Sequence, residues 1–155
     1  VCPMRLADKL RPELVLIAPD VDGRDELFRL FGSVFERSEL VPDGTKVVEK
    51  LLEREQILST GIGGGVAVPH AQVPGVGRLV MAASIHPGGL DYPALDQQPV
   101  RLVFCLIGDA NTAADHLAGL ARLARLARRD DALERLIHAE TGHAFLAVLT
   151  ELEGA

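Results

Sequence analysis

Residues Ser59–Gly75 read STGIGGGVAVPHAQVPG and hold five glycines, two prolines and one histidine in seventeen residues. Ordering glycine costs backbone entropy, and the residue is kept where the chain turns left-handed or approaches something closely. Pro69 fixes the chain just before His70 and biases Val68 toward an extended conformation. Val66–Val68 itself reads as a short strand. The pattern describes a rigid ledge carrying an imidazole, with open space or a partner above it. Two nucleotide-binding readings fail on the residues themselves. A P-loop needs a Gly-Lys pair, and the chain has none. A dinucleotide fingerprint needs Gly or Ala where Gly61 and Gly63 are followed by Val66, and a strand ahead of it where this chain has a helical pattern.

N-terminal to this stretch, Leu14–Ile17 reads as a short strand closed by turn residues. From Arg24, the residues Leu27, Leu30, Phe31, Val34 and Phe35 trace one face of a helix. Pro42 reads as the opening of a second helix, striped by Val47, Val48, Leu51 and Leu52 and running toward Ile57. On the C-terminal side, the apolar runs 79–85 and 100–107 read as buried strands, with a short strand at Leu90–Tyr92 between turns. A helix is expected over Thr112–Arg128, opened by a capping box of Thr112 and Asp115. Its core face is read as Leu117, Leu120 and Ala124, and its arginine face (Arg122, Arg125, Arg129) as solvated. Two shorter helices follow, near Asp131–Ala139 and Thr141–Leu152. The order predicts an α/β (α+β layered) fold with a single mixed sheet of about five strands and helices on both faces. One domain is expected over residues 5–152, with residues 1–4 read as an N-terminal extension or as residues added ahead of the domain.

Composition narrows the functional classes. At 155 residues the chain is a one-domain length that needs no cross-links. A net charge of −6 argues against nucleic acid as a partner, and one tyrosine with no tryptophan leaves few platforms for base stacking. No run approaches a membrane span, so no membrane insertion is expected, and the start VCPMRLADKL lacks a signal-peptide core. Cys2 and Cys105 lie far apart and form neither a disulfide framework nor a zinc spacing; Cys105 reads as a buried small hydrophobe. A reducing, cytoplasmic location fits.

STGIGGGVAVPHA resembles the signature of the fructose/mannitol/nitrogen-regulatory type of enzyme IIA domain (PTS EIIA type-2) of the bacterial phosphoenolpyruvate-dependent phosphotransferase system. LLEREQILST resembles the helix with an Arg-Glu pair ahead of that signature. LDYPALDQQPVRLVFCLIG resembles the family's hairpin and following strand, and HLAGLARLA its helix with a second histidine. The resemblance runs from about Leu6 to Leu149, with departures at Gly64, Gln72 and Asp109–Asn111.

The resemblance implies a phosphocarrier that accepts a phosphoryl group on His70, at Nε2, from the small histidine phosphocarrier protein. The acceptor would be a sugar-specific IIB or, for a nitrogen-type regulator, a set of target proteins. One such domain fills 155 residues without a IIB or IIC segment, which favours the regulator. His116 is expected to hydrogen-bond the phosphoryl oxygens from a helix N-terminus, and Arg54 to offset their charge. Both side chains are expected to be accessible. Ser59, Thr60 and the amides of Gly61, Gly63 and Gly65 are candidate phosphate donors. Phosphoryl transfer needs a neutral imidazole and fixed donors, so no metal or cofactor is required. His86, His138 and His143 match no signature position and read as surface or turn residues. Two alternatives stand beside this reading. One is a metal-dependent hydrolase built on His70, His116 and Asp91 or Asp96, which lacks a metal-binding spacing. The other is a non-phosphorylated protein-interaction domain.

Overall fold

The computed structural model describes residues 4–154; Cys2 and the rest of residues 1–3 lie outside the described residues. A short helix α1 (Leu6–Lys9) and a 3-10 turn (Pro12–Leu14) lead into strand β1 (Val15–Ile17). The paired helices α2 (Arg24–Arg37) and α3 (Gly44–Ile57) follow. The buried positions of α2 are Leu27, Phe28, Phe31, Gly32, Val34 and Phe35; of the expected stripe Leu30 is only partly buried, and Phe28 and Gly32 join the buried face. Asp43, rather than Pro42, caps α3, its carboxylate accepting from Thr45 N–H at 2.9 Å. Pro42 sits one residue outside, where the chain is still extended and Asp can satisfy a free helix donor.

The glycine segment then forms three short strands, β2 (Gly61–Gly63), β3 (Val66–Ala67) and β4 (His70–Gln72). The long strands β5 (Val80–Leu90) and β6 (Val100–Gly108) follow. A 3-10 turn (Ala110–Thr112) and helices α4 (Ala113–Leu126), α5 (Asp130–Ile137) and α6 (Gly142–Gly154) complete the fold. The sheet is mixed, in the order β1-β5-β6-β3-β2, with β4 also on β6. β5 and β6 are antiparallel; β1 runs parallel to β5, and β3 and β4 run parallel to β6. Val80–Ile85 and Leu102–Ile107 are buried at every residue, so both faces of the central strands are covered. Cys105 lies wholly inside, where burial pushes its thiol pKa up and leaves it protonated.

Among the described residues six strands form instead of about five, because the glycine segment contributes three. Pro69 accounts for the gap between β3 and β4. It brings no N–H to the ladder, yet its carbonyl accepts from Leu106 N–H at 3.0 Å, so the chain resumes pairing with β6 one step further on. The expected short strand at Leu90–Tyr92 is instead the end of β5: Leu90 pairs with Val100 after an irregularity that spans the expected turn.

At α4 the sequence misleads twice. The capping box belongs to Asp109 and Thr112 around the preceding 3-10 turn, and Thr112 makes no side-chain cap to α4 itself. The buried face is His116, Gly119, Leu123 and Leu126, while Leu117 is 71% exposed. Helix α4 approaches β6 through Gly119, where a Cβ would stand 2.9 Å from Leu106 Cδ2, so the smallest residue rather than a leucine marks the contact. Nor is the arginine face wholly solvated. Arg122 pairs at 3.3 Å with Glu153, whose carboxylate also accepts from Leu6 and Ala7 N–H and ties α6 to α1.

Candidate functional site: a two-histidine cleft

His70 opens β4, and its ring is oriented from within the signature. Nδ1 lies 2.8 Å from the Val68 carbonyl. A carbonyl only accepts, so Nδ1 carries the proton and donates, and the lone pair of the neutral ring stands on Nε2. Pro69, between donor and acceptor, holds the two-residue loop in shape. Burial lowers the His70 pKa, partly opposed by the Val68 hydrogen bond; the Arg54 charge lowers it further and Glu55 raises it. The ring is therefore neutral at pH 7.

His116 reaches the same place from the first turn of α4. The two ring centroids are 5.2 Å apart and meet edge to face at 67°. His116 is buried rather than accessible, and burial, then the neighbouring His70, lowers its pKa to about 4. Its Nδ1 is buried without a hydrogen-bond partner among the described residues. An orphaned buried N–H is rarer than an under-used acceptor, so the proton sits on Nε2. The pair thus offers a lone pair on His70 Nε2 beside an N–H on His116 Nε2.

Arg54, half-buried in the last turn of α3, donates from Nη1 to the Leu58 carbonyl at 2.7 Å, closing the helix end. This uses one of the five N–H donors of the guanidinium. Arg54, His70 and His116 line one cleft of about 520 Å³, together with Lys50 of α3 and a largely apolar wall. Ile57 and Leu117, both lining residues, are 80% and 71% exposed.

The structure brings these three predicted residues together and leaves the other five outside the cleft lining. Thr60 is 3% exposed and bound to Glu55 and Tyr92: its hydroxyl donates to Glu55 Oε1 and stands 2.5 Å from the Tyr92 hydroxyl. The Ser59 hydroxyl donates to the Pro93 carbonyl and accepts from Gly61 N–H at 3.1 Å. Gly61 and Gly63 form β2 against β3. The Gly65 carbonyl accepts from Arg101 and Leu102 N–H at 2.7 and 3.0 Å. Gly63, Gly64 and Gly65 all take positive φ (92°, 67° and 84°), so the glycines form a tight hairpin that lies outside the cleft lining.

Glu55 and Tyr92 went unread in sequence, yet Glu55 continues the buried stride Val47, Leu51, Glu55 of α3. A carboxylate on that stride signals a buried anchor. Glu55 accepts from Thr60 N–H and from the Tyr92 hydroxyl (2.8 Å), and Arg24 pairs with it at 3.7 Å. His86 also departs from expectation. It is buried in β5 with Nε2 2.8 Å from Ser84 Oγ, and burial lowers its pKa to about 4. His138 and His143 are exposed, as read.

The hydrolase alternative loses its acids. Asp96 accepts from Gly64 and Gln98 N–H, which lowers its pKa, and Asp91 lines other clefts. Among the described residues, no three His, Cys, Asp or Glu side chains gather as a metal site. No helix among them is long and apolar enough to cross a membrane.

A mixed sheet flanked by helices, with two neutral histidines in one cleft, describes a class of small α/β domain suited to histidine chemistry. Comparison with known proteins narrows the class. The family described as "Phosphoenolpyruvate-dependent sugar phosphotransferase system, EIIA 2" matches residues 8–152, and the chain belongs to that family. The chain is 33% identical over 147 residues to a nitrogen regulatory protein of Bradyrhizobium diazoefficiens, covering 94% of this chain and 95% of that one. It is 34% identical over 112 residues to a fructose-specific EIIA component of Haloferax volcanii, covering 72% and 73%. Among solved structures, the nitrogen regulatory protein IIA-Ntr of Neisseria meningitidis superposes with a TM-score of 0.86 at 29% identity, covering 93% of this chain and 98% of that one.

Proposed function

We propose that the protein is a phosphocarrier that holds a phosphoryl group on His70 Nε2, received from the phosphohistidine of the histidine phosphocarrier protein in the cytoplasm. The observation that carries this reading is the Val68–His70 hydrogen bond, which leaves an unprotonated Nε2 beside a second neutral imidazole. In the transfer, the Nε2 lone pair forms the new N–P bond. The donor's N–P bond breaks, and its electron pair returns to the donor imidazole. Charge spreads over three phosphoryl oxygens in a loose transition state, so positioned donors do the stabilising. His116 Nε2–H and the remaining N–H groups of Arg54 fill that role. Exposed Ile57 and Leu117 give the rim an apolar surface against which a phosphorylated partner can exclude water.

A regulatory role of the nitrogen type is supported by the 33% identity that extends over nearly the whole of both chains. Its output is the binding of target proteins according to phosphorylation state. The fructose-specific relative supports a second reading, in which a sugar-specific IIB takes the phosphoryl group.

The test is incubation with phosphoenolpyruvate, enzyme I and the histidine phosphocarrier protein, followed by detection of phosphohistidine. Wild-type protein is expected to take one label and His70→Ala none. Full labelling of His70→Ala would overturn the assignment. Chasing the labelled protein with a IIB domain separates the roles: transfer supports transport, and retention of label supports regulation.

A further inference from the structure

His70 and His116 stand on different elements, and their separation depends on how those elements are tied. The chain leaves β4, which His70 opens, through residues 73–79. It enters α4, which carries His116, from β6 through Gly108, Asp109 and the 3-10 turn. Asp109 is buried at 8% exposure, and both of its carboxylate oxygens are engaged. Oδ2 accepts from Gly77 N–H at 2.6 Å and Oδ1 from Asn111 N–H at 2.9 Å. The Asp109 N–H donates to Thr112 Oγ1 at 2.9 Å, and that hydroxyl lies 3.1 Å from the Asp109 carbonyl, to which it donates. One side chain thus joins the exit loop of the His70 strand to the entry turn of the His116 helix.

Gly108 lies close to both Thr112 and the His116 ring. A Cβ there would collide with Thr112 Oγ1 and stand 3.6 Å from His116 Nδ1. The Gly108 carbonyl accepts from Val73 N–H at 2.7 Å, on the His70 side. Among the described residues His116 has no hydrogen bond at Nδ1 to set its angle, so its placement depends on the turn behind it.

We infer that Asp109 is a positioning residue for phosphoryl transfer, setting where His116 Nε2–H stands relative to His70. The inference rests on the reading of His70 as phosphoryl acceptor. A carboxylate is needed because it accepts at both oxygens. Asparagine keeps one acceptor, and its NH2 would face an N–H.

The experiment measures initial rates of labelling by the phosphorylated histidine phosphocarrier protein, over a range of its concentrations. It compares wild type, Asp109→Asn, His116→Ala and the double variant. Absence of label on wild type would overturn the reading of His70, whatever Asp109 does. With wild type labelled, Asp109→Asn is expected to lower the saturating rate about tenfold, the scale of a small misplacement, with the half-saturating concentration unchanged. In the His116→Ala background the same change is expected to add less than about twofold, because the group it positions is gone. A wild-type rate for Asp109→Asn, or an equal loss in both backgrounds, would overturn the inference. If Asp109→Asn does not fold, Thr112→Val and Thr112→Ser carry the test. Valine is expected to slow transfer and serine to keep it, and equal rates in the two would overturn the inference.

Discussion

The glycine-rich half of the signature, Ser59–Gly65, and its histidine half, Val66–Gln72, are adjacent in sequence and do opposite work. In the first half, backbone and hydroxyl groups are consumed by neighbours: Thr60 by Glu55 and Tyr92, Ser59 by Pro93, and Gly64 by Asp96. In the second, one hydrogen bond to Val68 orients a ring and leaves its other nitrogen without a proton. A polar group already paired inside the fold is poor at meeting a transient ligand, since it must first give up its partner. Satisfaction of polar groups therefore divides scaffold from site more sharply than residue type does.

The largest effect expected on the site side comes from His70→Ala. It is expected to abolish labelling, because no other group in the cleft has a neutral nucleophilic nitrogen held this way. The melting temperature is expected to stay within about 3 °C of wild type, since the half-buried ring makes one hydrogen bond to a local carbonyl. A collapse in melting temperature would move His70 to the scaffold.

The next effects fall on His116 and Arg54. Each would make charge-assisted hydrogen bonds to the phosphoryl oxygens, and losing one is expected to slow transfer roughly ten- to a hundredfold. The tautomer assignment sharpens this. His116→Gln places an N–H near the original Nε2 and is expected to retain more activity than His116→Asn, whose amide falls near Nδ1. The reverse order in labelling rate would invert the assignment. Arg54→Met is expected to slow transfer with little change in melting temperature, its one visible bond being a helix-end contact to Leu58. His116 variants are expected to lower the melting temperature more, because that ring is buried.

The third effect belongs to the scaffold side. Tyr92→Phe removes the hydroxyl that donates to Glu55 Oε1 at 2.8 Å and meets Thr60 Oγ1. The loss is expected to be about 1–2 kcal/mol of stability, with the labelling rate changed less than threefold. Denaturant unfolding and the labelling assay read the two quantities separately. A tenfold loss of labelling at unchanged stability would mean the glycine hairpin belongs to the site after all.

What could be read from the sequence follows the same division. The long buried strands, α2 and α3 were legible because their apolar runs and stripes are strong, and His70 was singled out because it ends a stretch, STGIGGGVAVPHA, that resembles the family signature. The place of the glycines outside the cleft lining was not legible, because a phosphate cradle and a tight hairpin call for the same residue. The face of α4 was misread because its packing residue is Gly119, which carries no hydrophobic signal. Asp109 was not legible at all: its bond to Gly77 joins residues 32 apart in the chain. Nor does any local feature separate His86, inside the sheet, from exposed His138.

That last contrast yields the smallest effect, a difference in pH dependence. His86 in the sheet and His116 in the cleft both have folded pKa values of about 4, against about 6.5 in an unfolded chain. Between those values the unfolded chain binds more protons than the folded one, so stability falls as pH drops from about 6.5 toward 4 and is fully present above 6.5. A histidine that stays neutral on folding contributes a slope of up to about 1.4 kcal/mol per pH unit across that window. Replacing His86 by leucine is expected to flatten the acid slope by about this much, while labelling at pH 7.5 stays at the wild-type rate. Replacing His116 is expected to flatten the slope similarly and slow labelling as well. Carboxylates add to the acid slope in all three proteins alike, so the differences between them isolate the histidines. The measurement is denaturant unfolding at pH 7.5, 6.0 and 5.0 for wild type, His86→Leu and His116→Gln, paired with labelling rates. If His86→Leu kept the full acid slope, its burial would not be holding the ring neutral. If it slowed labelling as much as the His116 variant, the sheet and the cleft would not be separable in function.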